Sequence, residues 1–315
     1  MYNRQILADY LKTNNVSKKE FASKINLSTS YVTKSINGNI DPSWSAIKAI
    51  AQQTKIPVIE FFTDDTYKEL EAKAAFSIEI IKNYEPAEGY FLAFSGGKDS
   101  VVLYELACRA GVKFDAHYSN TQIDPPELRI FIKRNYPNID WINPKHSMFK
   151  LVEKHHILPM RTIRYCCREL KESSSGDHVL LAGVRASESY ARSKYSVYSK
   201  LKDKEVVYPI LYWSEIDVWL FTILNDLPYC KLYDEGFKRL GCIGCPMATT
   251  KQRRFEFDRY PSIEKAYKRA LTKVFNEHPN KYFGTDVDAY FNWWITGDST
   301  DEYFAKHGKP PYTRI

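Results

Sequence analysis

The chain has 315 residues, 44% of them apolar and 26% charged, and a net charge of +7. That length suggests about two domains, and the composition excludes an intrinsically disordered chain. No apolar run approaches the roughly 18 residues of a membrane span, and the polar, periodic opening MYNRQILADYLKTNN excludes a secretory signal, so a cytoplasmic location with no membrane partner is expected.

Residues 1–63 read as an all-helical bundle. Ile6, Leu7, Tyr10 and Leu11 fall at helical spacing. Ser17 can cap a helix carrying Phe21, Ala22 and Ile25, with Glu20 completing a capping box. Ser28 caps the next helix, whose inner face is Tyr31, Val32 and Ile36 and whose stop is Asn37-Gly38-Asn39. Ser43 opens a fourth helix with Ile47, Ile50 and Ala51, and Pro57 starts a short last one ending at Phe61-Phe62. Residues 64–88 read as a linker dominated by a connecting helix over 66–83. From 89 to 250 the pattern alternates. Strands are expected at 90–94, 114–118, 139–142 and 179–183, with helices running to Ala110 and over 126–135, 148–155 and 214–224. That is an α/β domain with a parallel sheet covered by helices. Residues 251–315 form a helical, aromatic-rich C-terminal extension.

The segment FLAFSGGKDSVVLYEL runs strand, glycine turn, helix. Gly96 and Gly97 allow close approach of backbone N–H groups to an anion, Lys98 adds charge, and Ser95 and Ser100 add hydroxyls. The spacing is not that of a Walker A loop. Asp99 is a candidate Mg²⁺ ligand or a carboxylate favouring the helix N-terminus.

Six cysteines occur, four of them in two tight clusters: Cys166-Cys167, and Cys242-x-x-Cys245 after a gap of 74 residues. In a cytoplasmic chain such clustering argues metal or redox chemistry over disulfides. Four thiolates suit zinc or an iron–sulfur cluster, and an adjacent pair suits the larger cubane better than a tetrahedral ion. Arg164, Arg168 and Lys171 fit a centre of net negative charge. The two remaining thiols, Cys108 and Cys230, read as core residues, Cys108 on the helix after the glycine turn.

These motifs resemble those of the phosphoadenosine phosphosulfate (PAPS) and adenylyl-sulfate reductases, within the PP-loop ATP pyrophosphatase superfamily of Rossmann-like, adenine nucleotide alpha-hydrolase-like fold. SGGKDS resembles the pyrophosphate loop, and the cysteine pattern is similar to that family's [4Fe-4S] ligands. GVRASESYARS, YPILYWSEIDVWLF and LPYCKLYDEGFKRLGCIGCP continue the resemblance from about Glu88 to Met247. It implies nucleotide phosphates on Ser95, Gly96, Gly97, Lys98, Ser100 and Gly183, and cluster ligation by Cys166, Cys167, Cys242 and Cys245. It implies reactive-site roles for Lys98, Asp99, Arg185 and Arg192, the arginines binding the transferred or leaving anion. Arg185, Glu188 and Arg192 follow a strand whose carboxyl end is where ligands bind in open α/β folds. Asp217 and Trp219 read as structural, and His146, His155 and His156 as surface residues without metal spacing.

Two departures matter. The reducing members carry a tail cysteine within Glu-Cys-Gly-x-His, whereas this chain has no cysteine after Cys245. SNTQIDPPELRIFI also replaces the reductases' Asp-Thr-Gly segment and is more similar to DNA phosphorothioation ATPases. Finally, VSKKEFASKINLSTSYVTKSINGN resembles a Cro/repressor-type helix-turn-helix, offering Ser28, Thr29, Ser30, Thr33 and Lys34 to a DNA groove. Residues 1–63 hold eight basic and four acidic side chains, a net +4 of the chain's +7, which suits a phosphate-facing surface. The expectation is therefore an enzyme that binds ATP or a sulfonucleotide (adenylyl sulfate or PAPS) next to a [4Fe-4S] cluster and carries out sulfur-transfer or sulfonucleotide chemistry. The alternatives are an ATP pyrophosphatase activating DNA or RNA for sulfur insertion, and a nucleotide- or redox-sensing DNA-binding regulator. A sulfur or electron donor is required but not identified, and the sequence leaves homodimerisation open.

Overall fold

The computed structural model describes residues 2–172, 176, 178–201 and 204–308. The chain divides into two compact units, one of residues 1–89, 98–114 and 181–228, the other of residues 90–97, 115–180 and 229–315.

The first unit begins with α1 (Arg4–Thr13), α2 (Lys18–Lys24), α3 (Thr29–Ile36) and α4 (Trp44–Thr54). Each starts on a polar cap, Asn3, Ser17, Ser28 and Ser43, whose side chain accepts a first-turn N–H that would otherwise lack a partner. Asn15 and Asn26 take the left-handed conformation that turns the chain between helices. Glu20 does not complete a capping box: its carboxylate turns to Lys24 at 2.8 Å, so only the Ser17 half forms. The expected fifth helix is a single 3-10 turn, Val58–Phe61. Leu7, Phe21, Ile47 and Phe61 are essentially inaccessible and form the bundle core, each burial contributing about 1.5–3 kcal/mol.

The connecting helix α5 (Asp64–Asn83) follows. Ser77 is buried in it, donating to the Pro209 carbonyl at 2.8 Å and accepting from the Trp213 indole at 3.1 Å. Lys73 meets Asp217 at 2.7 Å, and Trp44 stacks on Trp219 with ring centroids 5.7 Å apart. Asp217 and Trp219 are structural, as the sequence suggested.

The remaining elements are β1 (Tyr90–Ala93), α6 (Lys98–Ala110), β2 (Phe114–Ser119), α7 (Pro126–Asn135), β3 (Asp140–Ile142), α8 (Met148–His155), α9 (Tyr165–Cys167), β4 (Leu180–Ala182), β5 (Tyr198–Leu201), β6 (Lys204–Val207) and α10 (Glu215–Leu224), then α11 (Thr250–Arg259), α12 (Pro261–Glu277), α13 (Val287–Thr296) and α14 (Thr300–His307). The strands lie in one sheet in the order β3-β2-β1-β4-β6-β5. β2 and β3 are parallel, with Tyr118 opposite Trp141. The fold is thus the expected Rossmann-like α/β sheet covered by helices, with one addition: β5 and β6 form an antiparallel edge pair, Lys200 opposite Glu205. In the second unit the C-terminal helices close on an aromatic core in which Phe257 packs against Tyr267, Phe291 and Trp294 with centroids 5.1–6.1 Å apart. Among the described residues no helix is long and apolar enough to cross a membrane.

Candidate functional site

The glycine turn after β1 belongs to the second unit. Gly96 has φ +71°, and a Cβ there would lie 2.7 Å from Ile132 and 2.8 Å from Leu128. Only glycine lets the backbone lie this close to α7 in that conformation. The Gly97 N–H points to Ser95 Oγ at 3.4 Å.

Immediately afterwards the chain enters the first unit at α6, where Lys98 and Ser100 are buried. Lys98 Nζ lies 3.1 Å from Asp99 Oδ2 and 3.9 Å from Glu215. The other Asp99 oxygen accepts from Arg185 Nε at 2.5 Å. Arg185, 6% exposed, also donates from Nη1 to Ser187 at 3.1 Å. Its backbone N–H donates to Glu188, whose carboxylate pairs with Arg192. Gly183 makes the approach possible, since a Cβ there would lie 3.0 Å from the Asp99 carbonyl. Two buried cations are therefore fixed about one half-buried carboxylate at a helix N-terminus. Each Asp99 oxygen thus holds one of the two cations.

The cysteines lie together in the second unit. Cys166 and Cys167 occupy α9, which runs directly into a π-helical segment, Arg168–Glu172. Such widened turns are frequent at functional sites. Cys242 and Cys245 occupy a tight turn in which the Cys245 N–H donates to the Cys242 carbonyl at 3.2 Å. Gly244 has φ +71° and lies so close to Phe257 that a Cβ would run into the ring. Its N–H donates to the buried Glu256 carboxylate at 2.8 Å, and burial raises that carboxyl's pKa. The Cys242 thiol donates to Thr121 at 3.5 Å, and the buried Asp124 accepts from Thr121 and from Tyr118, both at 2.7 Å.

The four thiols share one electrostatic neighbourhood. Cys166 is pushed far up by its hydrogen bond to Cys167, by burial, and by the charges of Cys167, Cys242 and Cys245. Burial pushes Cys242 up to about 12, against the opposing pull of Lys171. Lys171 in turn is held above the ordinary lysine range, chiefly by its interaction with Cys242. Burial pulls the nearby Arg253 down to about 10. Among the described residues no three His, Cys, Asp or Glu side chains converge as ligands of a single metal ion. Of the three basic residues expected near the cysteines, Lys171 alone hydrogen-bonds one of them, Cys242, while Arg164 and Arg168 are exposed.

Cys230 is buried as expected, but Cys108 is exposed. The buried face of α6 is Val101, Val102, Leu103, Leu106, Ala107 and Ala110, and Cys108 projects from the opposite side, one turn beyond Tyr104. His146 and His156 are exposed, whereas His155 is half-buried, stacked on Tyr165 and bonded to Glu169 at 2.6 Å. Ser28, Thr29, Ser30 and Lys34 are exposed around α3 and Thr33 is half-buried, while the Ser28 hydroxyl caps its own helix. Thr121, Asp124, Arg253 and Glu256 were not singled out from sequence. They are scattered polar residues that only the tertiary fold buries. A simple check follows from the thiols. Partial burial and Glu105 raise Cys108 as well, but at pH 8 this exposed thiol should still be alkylated by iodoacetamide before Cys242, which burial pushes up to about 12; peptide mass mapping reads the order.

Residues 89–248 match the family model "Phosphoadenosine phosphosulfate reductase domain". Two uncharacterized proteins of Methanocaldococcus jannaschii are each 28% identical to this chain, over 64% and 71% of its length. The chain spans about half of these archaeal relatives, 46% and 56%. The adenosine 5'-phosphosulfate reductase of Oceanobacillus iheyensis is 30% identical over 49% of this chain and 69% of its own length. Among solved structures, PAPS reductase from Candida auris in its phosphate complex aligns with a TM-score of 0.42 and 17% identity, over 57% of this chain and 96% of that one.

Proposed function

The chain belongs to the phosphoadenosine phosphosulfate reductase family, and from that membership we propose that it is an adenine-nucleotide enzyme of sulfur chemistry. Residues 89–250 are the catalytic domain in this reading, with residues 1–63 as a nucleic-acid module, 64–88 as their connection and 251–315 as a helical extension. The observation that carries the proposal is the buried Lys98–Asp99–Arg185 arrangement at the start of α6, directly after a turn that only glycine permits at Gly96. Nucleotide phosphates are received by Ser95, Gly96, Gly97, Lys98, Ser100 and Gly183. Lys98 and Arg185 neutralise the anion, Arg192 stands behind Arg185 through Glu188, and Asp99 holds the cations in place. ATP, adenylyl sulfate and PAPS are the candidate nucleotides.

Cys166, Cys167, Cys242 and Cys245 suit a [4Fe-4S] group. Each iron of a cubane takes one thiolate, so the four sulfurs need not converge on a point, in keeping with the absence of a single-ion site among the described residues. Bound there, the cluster would supply negative charge and one-electron chemistry. Lys171 and Arg253 would offset that charge.

A second reading is favoured by one observation: residues 246–315 contain no cysteine, and among them α11–α14 are folded helices. Cleaving sulfite from a sulfonucleotide through a thiosulfonate needs a nucleophilic thiolate. Without one in that segment, adenylation of a nucleic-acid oxygen by ATP, preparing it for sulfur insertion, accounts for the same nucleotide site. The basic bundle with its exposed α3 face would then deliver DNA. Incubating anaerobically purified protein with ATP, adenylyl sulfate or PAPS and a thiol separates the readings. Sulfite release supports reduction, whereas pyrophosphate release that depends on DNA supports nucleic-acid activation. Operator-type DNA binding that responds to oxidation, without turnover of any nucleotide, would replace both with a regulator.

A further inference from the structure

The second unit contains a cavity of about 330 Å³ with no part in the nucleotide site. Its wall joins the segment before the Cys166-Cys167 pair (Arg161), the residues after Cys245 (Pro246), the start of α11 (Thr250, Arg253) and the end of α13 (Trp293, Trp294). The volume is at the small end of ligand sites.

The hydrogen-bonding inventory of this wall is lopsided. Four of its carbonyl acceptors are used by its own side chains: those of Trp294 and Ile295 by Arg253 Nη1 (2.6 and 3.1 Å), that of Thr296 by Thr250 (3.0 Å), that of Pro246 by Arg161 Nε (3.1 Å). The carboxylate of Asp298 is paired with Lys306 at 2.9 Å. Among the buried side-chain atoms of this wall, those without a partner are all donors: Arg253 Nε, Arg253 Nη2 and Trp293 Nε1. Arg253 is only 4% exposed, with its guanidinium 3.9 Å over the Trp294 ring. Nε and Nη2 are the two nitrogens on one edge of the guanidinium, the edge that donates two parallel hydrogen bonds to a carboxylate or similar oxyanion. The neighbouring Glu256 does not serve it, since its oxygens accept from Gly244 and Gln252. Leaving three buried donors unpaired is costly, and an anion with two acceptor oxygens satisfies the edge.

We infer that this cavity is a binding site for a small oxyanion, a carboxylate or a sulfur or phosphorus oxyanion, held by the free edge of Arg253 with Trp293 Nε1 and the second guanidinium of Arg161. The site lies against both cysteine-bearing loops but is separate from the glycine turn.

The test is titration of the full-length protein with acetate and, separately, sulfate, followed by tryptophan fluorescence and calorimetry. Saturable binding is expected. It should weaken roughly ten- to hundredfold in Arg253→Met, the loss of hydrogen bonds to a charged group, and less in Trp293→Phe, which keeps the ring and removes one donor. The component of binding that Arg253→Met removes should persist in Lys98→Ala, whereas any sulfate held at the glycine turn and α6 should be lost there. Arg253-dependent saturation by acetate alone would identify the ligand as a carboxylate, by sulfate alone as a tetrahedral oxyanion, and either supports the site. Absence of saturable binding overturns it, as does binding that Arg253→Met and Trp293→Phe leave untouched. Loss of iron from Arg253→Met with anion affinity intact would instead assign the guanidinium edge to the cysteine centre. Trp293→Phe keeps the test valid should Arg253→Met fail to fold.

Discussion

Replacing Gly244 with alanine should be among the most damaging single changes in this protein. The residue has φ +71°, and its Cβ would enter the ring of Phe257. Phe257 cannot move aside freely, because it is fully buried among Tyr267, Phe291 and Trp294. Overpacking of this kind costs about 1–3 kcal/mol, and forcing alanine into a left-handed conformation adds about 1 kcal/mol. The damage is local to the Cys242–Cys245 turn, whose shape also depends on the Gly244 N–H bond to Glu256. The Gly244→Ala protein should therefore unfold at lower urea and, with the proposed iron–sulfur centre at this turn, retain less iron, with far-UV dichroism and iron content as readouts. Phe257→Leu in the same chain should recover part of both losses by opening space. If Gly244→Ala keeps wild-type iron and wild-type urea midpoint, the packing described around this turn is wrong.

The second large effect is expected at Arg185. Its side chain is 7% exposed and that of Asp99 is 18% exposed, with 2.5 Å between them. Removing Arg185 takes a charge-assisted hydrogen bond from a half-buried carboxylate, at about 1.5–3 kcal/mol. Lys98 remains on Asp99 and keeps its charge compensated. Nucleotide affinity should fall as well, since Arg185 is one of the two cations set at the start of α6. Arg185→Lys keeps the charge but not the fork, and should restore stability better than affinity. Pairing Arg185→Met with Asp99→Asn in a double-mutant cycle isolates their coupling. A coupling energy near zero would show that Asp99 does not position Arg185.

Much of this was legible in the sequence because periodicity and capping act locally. The polar caps Ser17, Ser28, Ser43 and Ser214 sit where the helices begin, and α7 and α8 fall on the expected residues. The β5–β6 pair was not foreseen. Its strands, YSKL and KEVV, show no clean alternation of apolar and polar residues, and no Asn-Gly or Asp-Gly stands between them to signal a hairpin. Glu20 satisfied the capping-box spacing but chose Lys24, a competition that spacing cannot decide. Cys108 was misread because a helix face three positions wide tips on one residue of phase.

At the site, the pairs Cys166-Cys167 and Cys242–Cys245 announce themselves, whereas the groups around them do not. Arg253 stands in the run Thr250–Arg259, the least apolar helix of the C-terminal region, where a solvated arginine is the natural reading. Only the packing of α13 over it removes it from water. Thr121 and Asp124 are similarly ordinary in sequence and become partners of Cys242 through a loop that the fold brings alongside.

The central claim, that the four clustered cysteines serve an iron–sulfur centre in a nucleotide enzyme, is tested most directly by quantifying iron and acid-labile sulfide in anaerobically purified protein. About four of each per chain are expected, falling sharply on replacing any one of Cys166, Cys167, Cys242 or Cys245 with serine. Stoichiometric zinc without sulfide, or iron content indifferent to those four replacements, would contradict it.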